Sequence, residues 1–357
     1  MLFLTKYDMK RFLSFVVTLI FLYSCASQKE EQDEKYGGTL SIPIYDINFD
    51  PYIFAPTING ELEKSLASIF YTGLFQYNPV TLSVENGICQ SWDVDNTGLV
   101  YVFHLDTTAQ FHKDECFNNA QETRKVTAYD VKYTFHLLAN PKFGVENFTN
   151  TVYHIQGAMK YFSMTDAQRD TSRIEGITVI DEHTLKVTLS RPSPTFIQNL
   201  AHPAAAIIPY EAVEMYGTKS TVGIGPFQYQ FDSSQFVFTR SDDFFLRDKK
   251  RNHLPYLDTL RFIRTNSLQE ASNLFIQGKI DALLLVSGGE VSRILHQLPE
   301  EIDYEILESH VPNFLNYNGT LYNIVRPYVK GLHTNKLFIL NFDEVYIDKR
   351  LYSQTFR

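Results

Sequence analysis

The chain has 357 residues, 44% of them hydrophobic and 20% charged, with a formal net charge of −9 at pH 7. A chain of this size holds enough apolar material for two domains with real cores rather than one. The acidic balance argues against a nucleic-acid partner, because phosphate binding needs a basic face. The densest basic run, Arg247 to Arg251, reads as a solvated turn.

The first thirty-six residues come first in the chain and constrain the rest. Lys10 and Arg11 precede an apolar segment, Phe12 to Leu22, which ends at Leu22-Tyr23-Ser24-Cys25. A basic start, a short apolar stretch and a small residue before the cut describe a secretory signal. The segment is too short to span a bilayer, which takes ~20 residues. With a cysteine at the cleavage point it resembles a bacterial lipoprotein signal, although Tyr23 is bulkier than the usual residue there. That resemblance makes residues 1–24 the signal peptide and Cys25 the lipidated first residue of the mature chain. Two acyl signals suffice for stable anchoring. Met9 is an alternative start. Residues 25–36, rich in Gln, Glu, Asp and Lys, form a polar tether too charged to fold alone.

The fold proper begins at Gly37-Gly38-Thr39-Leu40, which leads into an apolar strand, Ser41 to Tyr45. Asp50-Pro51 breaks it, and Pro56 keeps the next segment extended. Leu62, Leu66, Ile69 and Phe70 recur at helical spacing before Gly73. Leu99 to Leu105 reads as a buried strand. Thr127-Ala128-Tyr129-Asp130 opens a capped helix with Val131, Phe135 and Leu138 as its buried stripe, stopped by Pro141. Ile177 to Ile180 and Leu185 to Leu189 flank Asp181-Glu182-His183 as a hairpin. Gly223-Ile224-Gly225-Pro226-Phe227 is a tight turn followed by strand residues to Thr239. A strand at Arg261 to Ile263, a helix at Glu270 to Gln277 and a strand at Ile280 to Val286 complete the pattern. Strands and helices mix without a repeat, so the class is α/β.

Catalytic patterns are missing. His112-Lys113-Asp114-Glu115-Cys116 gathers potential metal ligands, but lacks the i, i+4 pairing of a zinc helix or a second cysteine or histidine at ligand spacing. It reads as a polar loop, with no metal, no cofactor and no enzyme implied. A zinc hydrolase built on His112 is the remote alternative. Gly223-x-Gly225 is followed by Pro226, which spoils it as a phosphate cradle. Cys89 and Cys116 can form a disulfide in an oxidising compartment, and spacing alone leaves this open.

Read in order, the motifs resemble the extracytoplasmic solute-binding proteins of peptide, oligopeptide and nickel ABC importers. Gly37-Gly38-Thr39-Leu40 with Asp50-Pro51 resembles the family's opening strand and loop, and Ile69-Phe70-Tyr71-Thr72-Gly73-Leu74 the end of its first helix. Gln90-Ser91-Trp92-Asp93-Val94 through Phe103-His104-Leu105, Phe111-His112 and Thr127 to Val131 continue the likeness. Ile180 to Leu185, Pro192 to Phe196, Ile208-Pro209, the Gly223 to Phe227 turn and Gly278-Lys279-Ile280-Asp281-Ala282 follow. The lone Trp92 falls inside this signature and is expected to pack rather than stack on a ligand. The family pattern is broken at Leu105-Asp106-Thr107-Thr108 and in the polar insertion that runs from His112 to Lys125.

The resemblance implies a periplasmic-binding-protein-like fold of class II, the three-domain peptide-binder type. Lobe one is expected over 37–265, with an inserted subdomain at about 60–170, and hinge strands with an incomplete start of lobe two over 266–357. It implies a substrate-binding lipoprotein on the periplasmic side of a bacterial envelope membrane, capturing short peptides for an ABC permease and ATPase. The resemblance fades after about Val311, so the second lobe is expected to be largely missing and binding impaired. The loop after the first strand lines the cleft in peptide-binding relatives, which makes Tyr52, Phe54, Thr57, Ile58 and Asn59 the candidate ligand contacts. Alternatives are a binder of nickel or another solute within the family, and a one-lobed structural or interaction lipoprotein without transport.

Overall fold

A computed structural model describes residues 35–44, 52–58, 60–230, 235–299, 302–314, 317–333 and 341–355. The signal segment, Cys25 and Asn59 lie outside the described residues.

The described chain opens with strands β1 (Thr39–Ile44), β2 (Phe75–Tyr77) and β3 (Val84–Asn86). Next come β4 (Cys89–Val94), β5 (Val100–Leu105), β6 (Ile177–Asp181) and β7 (Thr184–Thr188). After them run β8 (Phe227–Gln230), β9 (Phe236–Arg240) and β10 (Thr259–Arg264). The last are β11 (Ala282–Ser287), β12 (Glu305–Phe314), β13 (Tyr317–Val325), β14 (Val329–Lys330) and β15 (Tyr346–Ile347). The long helices are α1 (Glu61–Phe70), α2 (Ala128–Leu138), α3 (Leu268–Ile276) and α4 (Gly288–Gln297).

One sheet has the order β1-β10-β9-β8. Its β1 and β10 run parallel, with Leu40 opposite Leu260 and Ile42 opposite Phe262. A parallel pair needs a crossover, and here the crossover carries a second folded unit. That unit is built on the antiparallel sheet β4-β5-β7-β6. Inward-facing Tyr101, Phe103 and Leu105 alternate along β5. They share one core with Phe111, Phe135, Phe148 and Phe196. Helix α2 adds Val131, Phe135 and Leu138 to it. The helix starts where expected because Asp130 accepts from both the backbone N–H (2.8 Å) and the hydroxyl (2.9 Å) of Thr127, the reciprocal half of a capping box.

The third sheet, β11-β13-β12, carries α3 and α4 over a smaller core around Phe275, Leu283, Ile294 and Ile324. Beyond it the chain returns: Tyr328, Phe342, Val345 and Ile347 join Leu40, Phe70, Phe238 and Phe262 in the core of the first sheet.

One expectation changes, and one open question is answered. The residues from Phe227 to Thr239 belong to two strands, β8 and β9, paired antiparallel with Phe227 opposite Arg240. Cys89 and Cys116 are free thiols. Burial pushes Cys89 up to about 12. Trp92 packs edge-on to Phe75 with ring centres 6.5 Å apart, and lies 6.0 Å from Tyr101, while keeping a solvent-exposed side.

The glycine turn Gly223 to Phe227 has a packing explanation. A Cβ on Gly223 or Gly225 would collide with the backbone of Phe70 at the end of α1. The Gly225 amide donates to the Phe70 carbonyl over 2.7 Å, and the Thr72 hydroxyl to the Ile224 carbonyl over 3.1 Å. His112 binds the same turn through both ring nitrogens. Three separated motifs thus meet where the two larger cores adjoin.

Candidate ligand-binding site

Loop 52–58 is held from three directions. Its centre is a short 3-10 turn, Ala55–Thr57, with Pro56 at the start, where a missing N–H costs nothing. The Thr57 hydroxyl donates back to the Phe54 carbonyl over 2.9 Å. Asn147, from the helix Val145–Asn150, donates its amide to the carbonyls of Pro56 (3.0 Å) and Ile58 (2.9 Å). The Tyr71 hydroxyl lies 2.9 Å from the Ile53 carbonyl and 2.9 Å from that of Ser220. Burial drives the Tyr71 phenol pKa up, so it stays a neutral donor.

Within this frame the candidate contacts divide. Phe54 and Ile58 are each only 3% exposed, and Phe54 packs on Phe143 with ring centres 5.5 Å apart. They anchor the loop in the core. Tyr52 is 38% exposed, its ring 6.0 Å edge-on from Tyr229, and Thr57 is exposed. Of the described candidates, Tyr52 and Thr57 are the two whose side chains reach solvent. A cleft of ≈ 370 Å³ is lined by Thr57, Ile58 and the turn Lys142–Asn147, with Tyr52 outside its lining. Asn147 and Phe143 carry no sequence signal for this role, lying some ninety residues away. Tyr71 sits inside a recognised motif that gives no hint of the loop it supports.

His112, the centre of the one metal-like run, is buried with both ring nitrogens engaged. Nε2 donates to the Gly225 carbonyl over 2.8 Å, and Nδ1 accepts from the Gly223 amide over 3.3 Å. Desolvation holds its pKa down at about 4. A neutral ring used at both nitrogens is a structural clasp. The cleft beside Thr57 is lined by an aromatic ring, Phe143, and a lysine, Lys142.

The family described as bacterial extracellular solute-binding proteins, family 5, middle, matches residues 83–326. The chain belongs to this family. Among curated relatives, the di/tripeptide-binding protein 1 of Pseudomonas aeruginosa is 28% identical over 267 residues, covering 71% of this chain and 44% of the relative. The glutathione-binding protein GsiB of Pectobacterium atrosepticum is 28% identical over 194 residues, 53% of this chain and 31% of the relative. Heme-binding protein A of Haemophilus influenzae is 24% identical over 216 residues, 58% and 39%.

Solved structures give the fold of this family 5 protein. A periplasmic oligopeptide-binding protein from Borrelia burgdorferi superposes with a TM-score of 0.60 at 22% identity, covering 75% of this chain and 51% of that one. DppA of Helicobacter pylori, solved in complex with the peptide STSA, gives 0.58 at 19% identity, with 78% and 52% coverage. The periplasmic-binding-protein-like fold follows. The chain spans less than half the length of these curated relatives and about half that of the solved structures. Among the described residues no helix is long and apolar enough to cross a membrane.

Proposed function

We propose that this family 5 protein captures short peptides for an ABC importer, working with a permease and an ATPase. Tyr52 and Thr57 are the ligand contacts on its first lobe. The observation that carries this reading is the family match joined to a rigidly held loop that exposes Tyr52 and lines a cleft with Thr57. Extended peptides are bound largely through backbone hydrogen bonds, which need fixed partners, and Asn147 and Tyr71 fix this loop. Cys25 carries the lipid anchor on the periplasmic side of the envelope, and Asn59 completes the contact loop.

Isothermal titration of the full chain with di- to pentapeptides, reduced glutathione and haem tests the ligand class. Saturable heat with the peptides, reduced by Tyr52→Ala, is expected. Tighter binding of haem than of every peptide overturns the reading. The anchor is tested separately by the intact mass of the protein from its native locus. Acyl chains on Cys25 are expected, and a mass with an unmodified cysteine removes them.

A further inference from the structure

Helix α2 has a second face. Tyr129, Lys132, Tyr133 and His136 follow one another at helical spacing opposite the buried stripe of Val131, Phe135 and Leu138. They form one wall of an open groove of ≈ 740 Å³, within the usual range of ligand pockets, roughly 300–1,000 Å³. The other wall comes from Tyr161 and the segment 166–173, and Lys142 closes the end nearest Thr57.

The charge pattern of this groove is unusual for an acidic chain. Four cationic side chains line it against two carboxylates, Asp166 and Asp170. Arg169 is already neutralised by Asp166 and holds the carbonyls of Phe162 and Met164, so it is structural. Neighbouring cations outside the groove are paired as well: Arg124 with Asp130 and Glu211, and Lys160 with Glu175. Lys132, Arg173 and Lys142, in contrast, have no carboxylate partner among the described residues. Lys132 and Arg173 both bear on His136, whose pKa is lowered by burial first and by these two charges in addition. The His136 ring is itself fixed, Nδ1 donating to the Lys132 carbonyl over 2.7 Å and Nε2 accepting from the Ile174 amide over 3.3 Å. Glu211 and Glu214 act on Tyr133 from outside the groove lining.

We propose that this groove is an anion site for a phosphorylated ring compound, distinct in chemistry from the peptide contacts on loop 52–58. A phosphomonoester carries roughly −1.5 to −2 charge and three strong acceptor oxygens, which matches the pair Lys132 and Arg173, converging on His136, better than a single carboxylate does. Arginine and lysine are the side chains suited to it. Tyr129, Tyr133 and Tyr161 supply ring faces and hydroxyls for the body that carries the phosphate.

Isothermal titration of the full chain with glucose 6-phosphate, inorganic phosphate, glucose and succinate tests this. Saturable binding of glucose 6-phosphate is expected, at least tenfold tighter than glucose or succinate and tighter than inorganic phosphate. Lys132→Ala combined with Arg173→Ala should weaken it at least tenfold, while Lys160→Ala leaves it unchanged. Neither substitution removes a folded-state ion pair of the groove, and labelled His136 reports occupancy independently by a ring chemical-shift change. No binding of glucose 6-phosphate, binding untouched by the double variant, or succinate binding equally well each overturns the site. Inorganic phosphate binding as tightly as the sugar phosphate overturns the role of the tyrosines. Peptide titrations on the same variants read a different site, so failure of one assignment leaves the other standing.

Discussion

His112 Nε2 donates to the carbonyl oxygen of Gly225 over 2.8 Å, joining the polar loop after β5 to a turn more than a hundred residues further on. The ring fits only when neutral, and burial depresses its pKa from 6.5 to about 4. The unfolded chain therefore takes up a proton that the folded one refuses between these values. Stability from this group is complete above pH 6.5 and is lost as pH falls towards 4, by about 3 kcal/mol in total at 1.36 kcal/mol per pKa unit. Urea unfolding of wild type and His112→Gln at pH 7.5, 5.5 and 4.5 should show a shallower acid loss in the variant. Parallel pH profiles would sink the assignment.

Asp343 acts in the opposite sense. Its carboxyl is buried, accepts from the Glu344 amide over 2.8 Å, and has its pKa raised by desolvation from 3.8 to about 7. A raised carboxyl favours folding below the unfolded value and ceases to do so as pH climbs through 7. Asp343→Asn keeps the accepting oxygen and removes the charge. It should raise the melting temperature at pH 8, by up to about 4 kcal/mol of stability as an upper bound, and change little at pH 4. A variant less stable at pH 8 would mean that the ionised form is held by partners other than those seen.

The loop frame makes a prediction that separates ligand contact from support. Asn147→Ala removes both bonds to the Pro56 and Ile58 carbonyls, at a stability cost of about 1–2 kcal/mol. Tyr52→Ala removes an exposed ring and should cost under ~0.5 kcal/mol. Both are expected to weaken peptide binding, Asn147→Ala through loop disorder and Tyr52→Ala through lost contact. Hydrogen exchange in residues 53–58 distinguishes them, accelerating in the first variant and not in the second.

Local chemistry made much of this fold legible. The Thr127–Asp130 capping box and the Asp181-Glu182-His183 hairpin declare themselves within a few residues, and both stand where the pattern puts them. The break between β8 and β9 is written in the sequence as a change of phase, Phe227, Tyr229 and Phe231 giving way to Phe236 and Phe238, which a reading of one continuous alternation passes over. Leu285 shows a deeper limit. Nothing in Leu283-Leu284-Leu285-Val286 announces a bulge, yet Leu285 has φ 59° and its amide donates to the buried Asn323 side chain over 2.9 Å. The partner that stabilises that left-handed residue comes from another strand. At the candidate site, family resemblance points to the loop that holds Tyr52 and Thr57, whereas the Asn147 clamp on that loop exists only after long-range folding.

The last prediction concerns Asp281, which ties three segments together. Its backbone amide donates to the Ser41 carbonyl over 2.7 Å, its Oδ2 accepts from the Ser41 amide over 2.6 Å, and its Oδ1 accepts from the Tyr328 hydroxyl over 2.7 Å. The opening strand, the start of β11 and the segment after β13 are thereby fixed at the junction between the first and third sheets. Tyr328 is fully buried, so Tyr328→Phe keeps the packing while deleting one hydrogen bond to a carboxylate, at a cost of about 2 kcal/mol. The Ser41 amide should then exchange with solvent faster, because Asp281 loses the donor that orients it. Urea unfolding measures the first effect and amide exchange at Ser41 the second. A stability loss with Ser41 protection unchanged would show that the Tyr328 hydroxyl contributes without orienting Asp281, which then holds β1 by itself.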